Sequence, residues 1–540
     1  MADPLKMFHD EIRAAADSLR EGTYGGAEIG LERPPRPELG DYSTNAAMLL
    51  APGRGENPRE VAELLRVELE GRLGDSVERL EIAGPGFLNL FLSARWYRAA
   101  VRAVLEADGF AAGSARAPEQ ISLEFVSANP TGPLTAAGGR HAAFGDSTAR
   151  ILEFAGHAVE REYYVNDVGG QVQRLAESVA ARMLDAPVPE DGYEGEYVAT
   201  LAVELAKAGV EPADLDSLAR HSVERMQESI RLTLERFGVE FDTWFSERSL
   251  HESGAVERAI EGLRESGAAY ESEGATWLRT TDFGDDKDRV LVRSGGEPTY
   301  FAADVAYHSD KIRRGAERML DVLGADHHGY VARMRAAVEA LGADPNQYEV
   351  VIMQFVHLVD AGARAQMSKR KGDFVTLDEL VDDIGVDAAR FFLLQRSHDT
   401  TVDLDLELAR RESSENPVYY VQYAHARVCS IIRLAESDGS VPPASDAVAR
   451  EPIEPAERAM IKRLLEFPAE LEAAAERRAP HRLCAYAMAA AADFHGFYRD
   501  CKVVGAPGAA EPARLEICLA MQAVIATALK LLGVSAPESM

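Results

Sequence analysis

Apolar residues recur at two spacings along the chain, and the change of spacing divides it. In Val77-Glu78-Arg79-Leu80-Glu81-Ile82-Ala83 they alternate with polar residues, as in a half-buried strand. After Gly84-Pro85-Gly86 a second run, 87–92, predicts the return strand of a hairpin. A leading helix and another after Leu39-Gly40-Asp41-Tyr42-Ser43-Thr44-Asn45 complete a small α+β unit over residues 1–112, and residues 111–118 have linker composition. From 121 to 403, short apolar strands alternate with amphipathic helices in the α/β manner, which predicts a doubly wound parallel sheet. A helical stretch with acidic loops interrupts this pattern around 190–237. Beyond residue 405 the apolar positions fall three and four apart in 418–434, 457–473 and 513–532, the periodicity of an all-α helix bundle over 405–540.

Composition narrows the class. A chain of 540 residues with 46% hydrophobic content can build about three domains with real cores. Its most apolar late helix is broken by Glu516, Gln522 and Lys530, so no membrane span is expected. The start, MADPLKMFHD, has no apolar export core, and a cytoplasmic protein is the expectation. Cys429, Cys484, Cys501 and Cys518 form no CxxC pair and read as buried free thiols, not a metal or disulfide site. The net charge of −31 runs against phosphate binding unless basic groups are concentrated locally. Only nine of the 58 basic residues are lysines, yet two of them are Lys369 and Lys371, which argues that an ammonium is needed there.

Two segments carry the chemistry. Glu124-Phe125-Val126-Ser127-Ala128-Asn129-Pro130-Thr131-Gly132-Pro133-Leu134 reads as a buried strand that breaks into a Pro/Gly loop and then a helix opening near Gly138, leaving backbone N–H groups beside the loop. Met367-Ser368-Lys369-Arg370-Lys371-Gly372 is a basic loop, and the 240 residues between Asn129 and Lys369 leave room for a complete sheet. Together the segments resemble the two signature regions of class I aminoacyl-tRNA synthetases. Further stretches are similar to arginyl-tRNA synthetases in particular. They are Leu39 to Asn45, Gly84 to Asn89, Tyr164-Val165-Asn166-Asp167-Val168-Gly169-Gly170-Gln171, Pro298 to His308, Leu323 to Tyr330, and Asn416 to Arg427.

That resemblance implies a Rossmann-like catalytic domain over 121–403, an N-terminal tRNA-binding domain over 1–112 that touches the outer corner of the tRNA, and an anticodon-binding bundle over 405–540. The implied reaction joins arginine to its tRNA through an arginyl-adenylate, consuming ATP with Mg²⁺ held by phosphates and water rather than by a protein metal site. The partners are then arginine, ATP and the arginine tRNA, and a monomer is expected. Activation is expected to need the tRNA. Lys369 is the expected partner of the leaving pyrophosphate, helped by Ser368, Arg370 and Lys371. A guanidinium needs carboxylate and carbonyl acceptors, and the resemblance points to Glu124, Asn129, Tyr300, Asp304, Asp326 and His327. ATP is expected along Ala128, Asn129, Pro130, Thr131, Gly132, Pro133 and Leu134, and with Met367. Tyr419, Tyr420, Tyr423 and Arg427 are candidates for stacking on tRNA bases.

One departure from the family matters. Its first signature normally ends in a His-x-Gly-His tetrad, and this chain has Thr135-Ala136-Ala137-Gly138. Phosphate contacts are then expected from Thr135, from N–H groups near Gly138 and Gly139, or from Arg140 and His141. Gln366 also stands where many class I enzymes carry a lysine. Two alternatives follow: a paralogue that binds tRNA or arginine without activating it, and a class I synthetase for another amino acid.

Overall fold

The computed structural model describes residues 3–20, 28–107, 109–327, 329–364, 375–439 and 446–540. The whole second signature, Gln366 to Gly372, and His328 lie outside the described residues.

A five-stranded parallel sheet forms the centre. Its spatial order is Tyr348–Met353, Arg318–Gly324, Gln120–Glu124, Ala158–Val165, Thr243–Ser246, so the first strand in the chain lies in the middle and successive crossovers wind outward on both sides. Helices cover both faces. Leu320, Val322 and Leu123 point into one core with the helices Ala136–Ala155 and Leu377–Leu394, while Met319 and Tyr348 point into another with Tyr300–Arg313 and Tyr330–Ala340. Period-two alternation on strands buried on both sides explains the two cores. Gly145 shows how close the layers are: a Cβ there would lie 2.1 Å from the Phe125 ring, so only glycine lets Ala136–Ala155 sit on the central strand.

The predicted hairpin forms as Val77–Ala83, at the edge, and Phe87–Leu92, inside, of a four-stranded antiparallel sheet. The stretch around 190–237 is helical, with Glu196–Lys207 and Leu215–Arg236 built on their own small core with Gly170–Met183. The last quarter is a helix bundle. Ala510–Leu532 is long and apolar enough to cross a membrane by length and composition alone, but, in keeping with its polar interruptions, it packs inside the bundle against Pro417–Ser437, His481–Asp500 and Ala94–Glu106. The four cysteines are buried free thiols.

Two ionic locks fasten the parts. Asp41, 3% exposed, accepts from the Leu92 N–H at 2.7 Å and pairs with Arg458 at 2.8 Å and Lys462 at 2.6 Å on Pro455–Leu465. The Leu39 to Asn45 motif thus puts this carboxylate into the joint with the helical bundle, not on an outer face. Arg390, fully buried near the end of Leu377–Leu394, donates to the carbonyls of Leu532 (3.0 Å) and Phe237 (3.1 Å) and pairs with Asp146. It ties the end of the bundle to the sheet layer. Gly533 accommodates that guanidinium, since a Cβ there would be 2.1 Å from it.

Candidate active site

The crevice opens where the parallel strands end, at the place where such sheets bind ligands. Glu124 is the last residue of the central strand, and its neighbours in register are Asp321 on one side and Glu162 on the other. Three carboxylates therefore stand in a row on one face of the sheet. Like charges side by side on adjacent strands are destabilising, and a single buried ammonium answers them. Lys311 Nζ, from Tyr300–Arg313, lies 3.0 Å from Glu124 Oε2, 2.9 Å from Asp321 Oδ1 and 3.9 Å from Glu162 Oε2. Glu162 also accepts from Tyr307 Oη (2.9 Å) and Ser122 Oγ (3.1 Å), and Arg314 pairs with it. Burial raises the Glu124 carboxyl, opposed by Lys311, while Lys311 and His308 hold Asp321 below the usual carboxylate range.

After Phe125 the chain leaves the sheet through Val126 (φ 67°) and Ser127 (φ 37°), left-handed conformations that cost a β-branched residue of order 1–3 kcal/mol. The bend turns Ser127 Oγ back to donate to Glu124 Oε1 at 2.9 Å and to accept from the Tyr164 N–H at 3.1 Å. The loop beyond is held by Tyr163 Oη on the Ala128 carbonyl (2.8 Å) and Tyr197 Oη on that of Thr131 (2.9 Å). Asn129 Nδ2 donates to Gln171 Oε1 at 3.0 Å.

The helix opens at Ala136, two residues earlier than its sequence suggests, because Thr135 caps it: Thr135 Oγ1 accepts from the Gly138 N–H at 3.2 Å. The Gly139 N–H reaches the Thr135 carbonyl at 3.1 Å, and the Ala136 N–H reaches that of Val375 at 3.0 Å. Leu377 N–H in turn donates to the Leu134 carbonyl at 2.8 Å. The N–H groups of Gly138 and Gly139, expected to face phosphate, are thus already bonded within the protein. The same pairing fixes the first signature against Val375 to Leu377, the described residues next after the basic loop. Gly139 fits under Leu377, whose Cδ1 would be 2.7 Å from an added Cβ.

Arg140 is not at this face. Its guanidinium, 1% exposed, donates to the carbonyls of Gln354 (2.7 Å), Ser397 (2.8 Å) and Thr400 (2.9 Å), because its position on the helix directs it into the layer beneath. His141 is half-buried beside the Val322 carbonyl. Burial and the Arg140 charge push its ring down to about 4, so it is neutral at pH 7. Neither residue supplies the charge that the altered tetrad lacks.

Across the crevice, Tyr300 and Asp304 share a face of Tyr300–Arg313, four residues apart. Tyr300 is 62% exposed, and its hydroxyl rests against Gly169, where a Cβ would approach to 2.9 Å. The Asp304 carboxyl is raised to about 6 by burial, with Tyr330 as a hydrogen-bond partner. Glu247, which follows the N-cap Ser246 of the short helix Glu247–Glu252, is 3% exposed; burial and the Asp304 charge raise it to about 7, and Tyr164 hydrogen-bonds to it. Among the described residues neither Asp304 nor Glu247 is paired with a lysine or arginine. Glu247 is invisible to motif reading, because an acid in the first turn of a helix is ordinarily a cap. Asp326 and His327 do not join this group: they form a 3.5 Å pair on the exposed turn after Arg318–Gly324, at the rim near His141.

On the helical bundle, Tyr419, Tyr420 and Tyr423 line a trough of about 550 Å³ with Ser414 and His495. The Tyr419 and Tyr423 rings stack at 6.3 Å, and the Arg427 guanidinium covers Tyr423 at 4.9 Å and Tyr498 at 4.8 Å. These side chains form a partly open aromatic surface rather than core, and His495 and Tyr498 are added to those predicted.

Comparison with known proteins accounts for the three parts. Residues 6–92 match the arginyl tRNA synthetase N terminal domain, 210–428 the catalytic domain of tRNA synthetases class I (R), and 421–540 the DALR anticodon binding domain. The first signature lies outside these matches. An arginine–tRNA ligase of Heliobacterium modesticaldum is 43% identical over 99% of this chain and all of its own length, and one of Moorella thermoacetica is 46% identical over 94% and 93%. The structure of Thermus thermophilus arginyl-tRNA synthetase shares the fold, with a TM-score of 0.78 at 24% identity over 99% of this chain and 100% of its own. With relatives this similar along nearly the entire length, the chain belongs to the arginine–tRNA ligases, a family of class I aminoacyl-tRNA synthetases.

Proposed function

We propose that this chain carries out the ligation of arginine to its tRNA with Asp304 and Glu247 as the guanidinium acceptors, Glu124 and Asn129 at the α-amino end of arginine, and Lys369 at the phosphates. The observation that carries this reading is the pair of carboxylates Asp304, half-buried, and Glu247, buried, near enough for the Asp304 charge to raise Glu247, with no lysine or arginine partner among the described residues. Two such groups side by side are the complement of a planar, always charged guanidinium. Glu124 differs, because Lys311 already offsets its charge and one oxygen accepts from Ser127; its remaining lone pairs suit an ammonium at the end of the central strand. The same pocket argues against a synthetase for an uncharged amino acid.

Chemistry begins when the arginine carboxylate attacks the α-phosphorus of ATP. The bond to the bridging oxygen breaks and pyrophosphate leaves, giving arginyl-adenylate. A ribose hydroxyl at the tRNA terminus then attacks the arginyl carbonyl and AMP leaves. Positioning and charge neutralisation supply most of the acceleration in displacements of this type. With the tetrad imidazoles replaced, Arg140 turned away and His141 neutral, that burden falls on the loop of Ser368, Lys369, Arg370 and Lys371, whose C-terminal neighbours are zipped to the first signature. Among the described residues no three potential ligands form a metal cage, and the acidic row is occupied by Lys311, so Mg²⁺ fits as an ion carried on the ATP phosphates, where it would offset their charge. The tRNA is proposed to engage units 1–112 and 405–540, with bases stacking in the Tyr419, Tyr420, Tyr423 and Arg427 trough. The enzyme is proposed to act as a cytoplasmic monomer.

Arginine-dependent ATP–pyrophosphate exchange tests this reading, run with and without the arginine tRNA, for the wild type, Lys369→Ala and Asp304→Asn. The expected result is tRNA-dependent exchange that falls at least a hundredfold in Lys369→Ala and shows a raised arginine KM in Asp304→Asn. Absence of exchange in folded, tRNA-binding protein would instead favour a paralogue that lacks activation chemistry.

A further inference from the structure

Lys311 is the one lysine buried among the described residues, in a chain that uses arginine at nearly every other basic position. An arginine could not replace it simply. A point-like ammonium with three donors can sit between carboxylates that converge from different strands, whereas the guanidinium fork is planar and larger. The charge is dedicated to Glu124 and Asp321, at 3.0 and 2.9 Å, with Glu162 at 3.9 Å and the Tyr307 ring 4.3 Å away. His308 Nε2 faces the other Asp321 oxygen at 3.1 Å, and its Nδ1 faces the Asp304 carbonyl at 2.8 Å. One ammonium thereby connects the carboxylate at the end of the central strand to the helix that carries Asp304.

We infer that Lys311 is a positioning residue for arginine recognition: by bonding Glu124 Oε2 and neutralising the acidic row, it fixes the orientation and charge of Glu124 toward the substrate. This rests on the reading that Glu124 contacts arginine. Two consequences follow from the geometry. Without the ammonium, Glu124, Asp321 and Glu162 become a row of buried carboxylates, and Glu124, the member nearest the crevice, takes up a proton and loses its role as acceptor of a cation. Without Asp321, the same ammonium serves fewer acids, and Glu124 stays ionised to lower pH. The groups facing this cluster are Glu162 and Ser122 from the sheet, His308, Asp304 and Tyr307 from the helix, and Arg314 and Tyr348 at its margins.

The test is a double-mutant cycle on pyrophosphate exchange with the tRNA present, comparing wild type, Lys311→Met, Glu124→Gln and the double variant, with thermal melting as a check on folding. Lys311→Met is expected to raise the arginine KM at least tenfold, leave the ATP KM within twofold, and move the acid limb of kcat/KM for arginine to higher pH. In the Glu124→Gln background the same substitution should add less than threefold. Full additivity, or an unchanged arginine KM in Lys311→Met, overturns the inference. If Glu124→Gln itself leaves the arginine KM unaltered, the assignment of Glu124 to the substrate fails instead, and the inference with it. Should Lys311→Met not fold, Asp321→Asn decides at pH 8, where Asp304 and Glu247 are ionised: an arginine KM within twofold of wild type supports the positioning role, because Lys311 still bonds Glu124 Oε2, and a raised arginine KM refutes it.

Discussion

Arginine binding should release protons, and the Asp304 and Glu247 pair sets how many. Glu247 sits at about 7 and Asp304 at about 6, both raised by burial and, for Glu247, by the neighbouring Asp304 charge. For Glu247 this displacement amounts to roughly 3 kcal/mol of disfavoured ionisation. A guanidinium placed between the two restores both charges. At pH 6 a carboxyl titrating near 7 is about nine-tenths protonated and one titrating near 6 about half, so binding should release about 1.4 protons; at pH 8 the figure falls to about 0.1. Calorimetry of arginine binding in buffers of different ionisation enthalpy measures this directly. The same occupancies predict a fall of roughly twentyfold in kcat/KM for arginine from pH 8 to pH 6, and only about twofold in Glu247→Gln. The stability consequence has the opposite sign. Because the folded-state values are raised, the native apoprotein binds more protons than the unfolded chain, so this pair makes the apoprotein less stable as pH rises from the ordinary carboxylate range through about 7. Added arginine should recover that loss, with a larger thermal shift at pH 8 than at pH 5.5. Proton release below about 0.3 at pH 6, or an acid limb unchanged in Glu247→Gln, would refute the assignment of these carboxylates to the guanidinium.

Other substitutions separate structural from chemical roles. Arg140→Met removes three hydrogen bonds, to the carbonyls of Gln354, Ser397 and Thr400, and should lower the free energy of unfolding in urea by roughly 3 kcal/mol with the ATP KM within twofold; normal stability with a strongly raised ATP KM would restore Arg140 to the phosphate site. Gly145→Ala forces a methyl to within 2.1 Å of Phe125 and should cost about 3 kcal/mol or more, read as a lower melting temperature and weakened exchange, whereas wild-type melting would show that helix and strand can separate. Asp41→Asn leaves Arg458 and Lys462 without their carboxylate in the joint. It should speed proteolytic cleavage between the N-terminal unit and the sheet domain and raise the tRNA KM, while arginine KM stays fixed; an unchanged cleavage rate would mean that apolar contacts alone hold the joint.

The fold class is legible because it is local. Alternation in 77–83 and spacings of three and four in 513–532 each describe one element, and the hairpin and bundle follow from them without tertiary information. Motif resemblance singles out Glu124, Tyr300 and Asp304, which the fold gathers at the two walls of one crevice. Motif position fails where direction matters. Arg140 and His141 follow the altered tetrad closely, so a linear reading places them at phosphate, yet the helical turn sends the Arg140 guanidinium down to Gln354, Ser397 and Thr400 and leaves the half-buried His141 ring neutral. Likewise Asp41 belongs to a motif that marks the N-terminal domain without saying what its acid does, and the fold spends it on Arg458 and Lys462.

What sequence reading cannot reach is the register of distant strands. Glu124, Glu162 and Asp321 are ordinary acids in three separate apolar runs, and nothing local makes them neighbours; only pairing of the central strand on both sides aligns them in one row. Once aligned, they require a cation, which gives Lys311 a reason to be a lysine that its own helix does not supply. Glu247 follows the same logic in reverse, since it becomes informative only because no lysine or arginine among the described residues pairs with it. On the proposed reading the pocket contains two kinds of acid: a row whose charge the protein has already balanced, and a pair whose balance is left to the substrate. Such a division would let a chain of net charge −31 present many carboxylates and still select one guanidinium, because only those left unpaired gain from binding it.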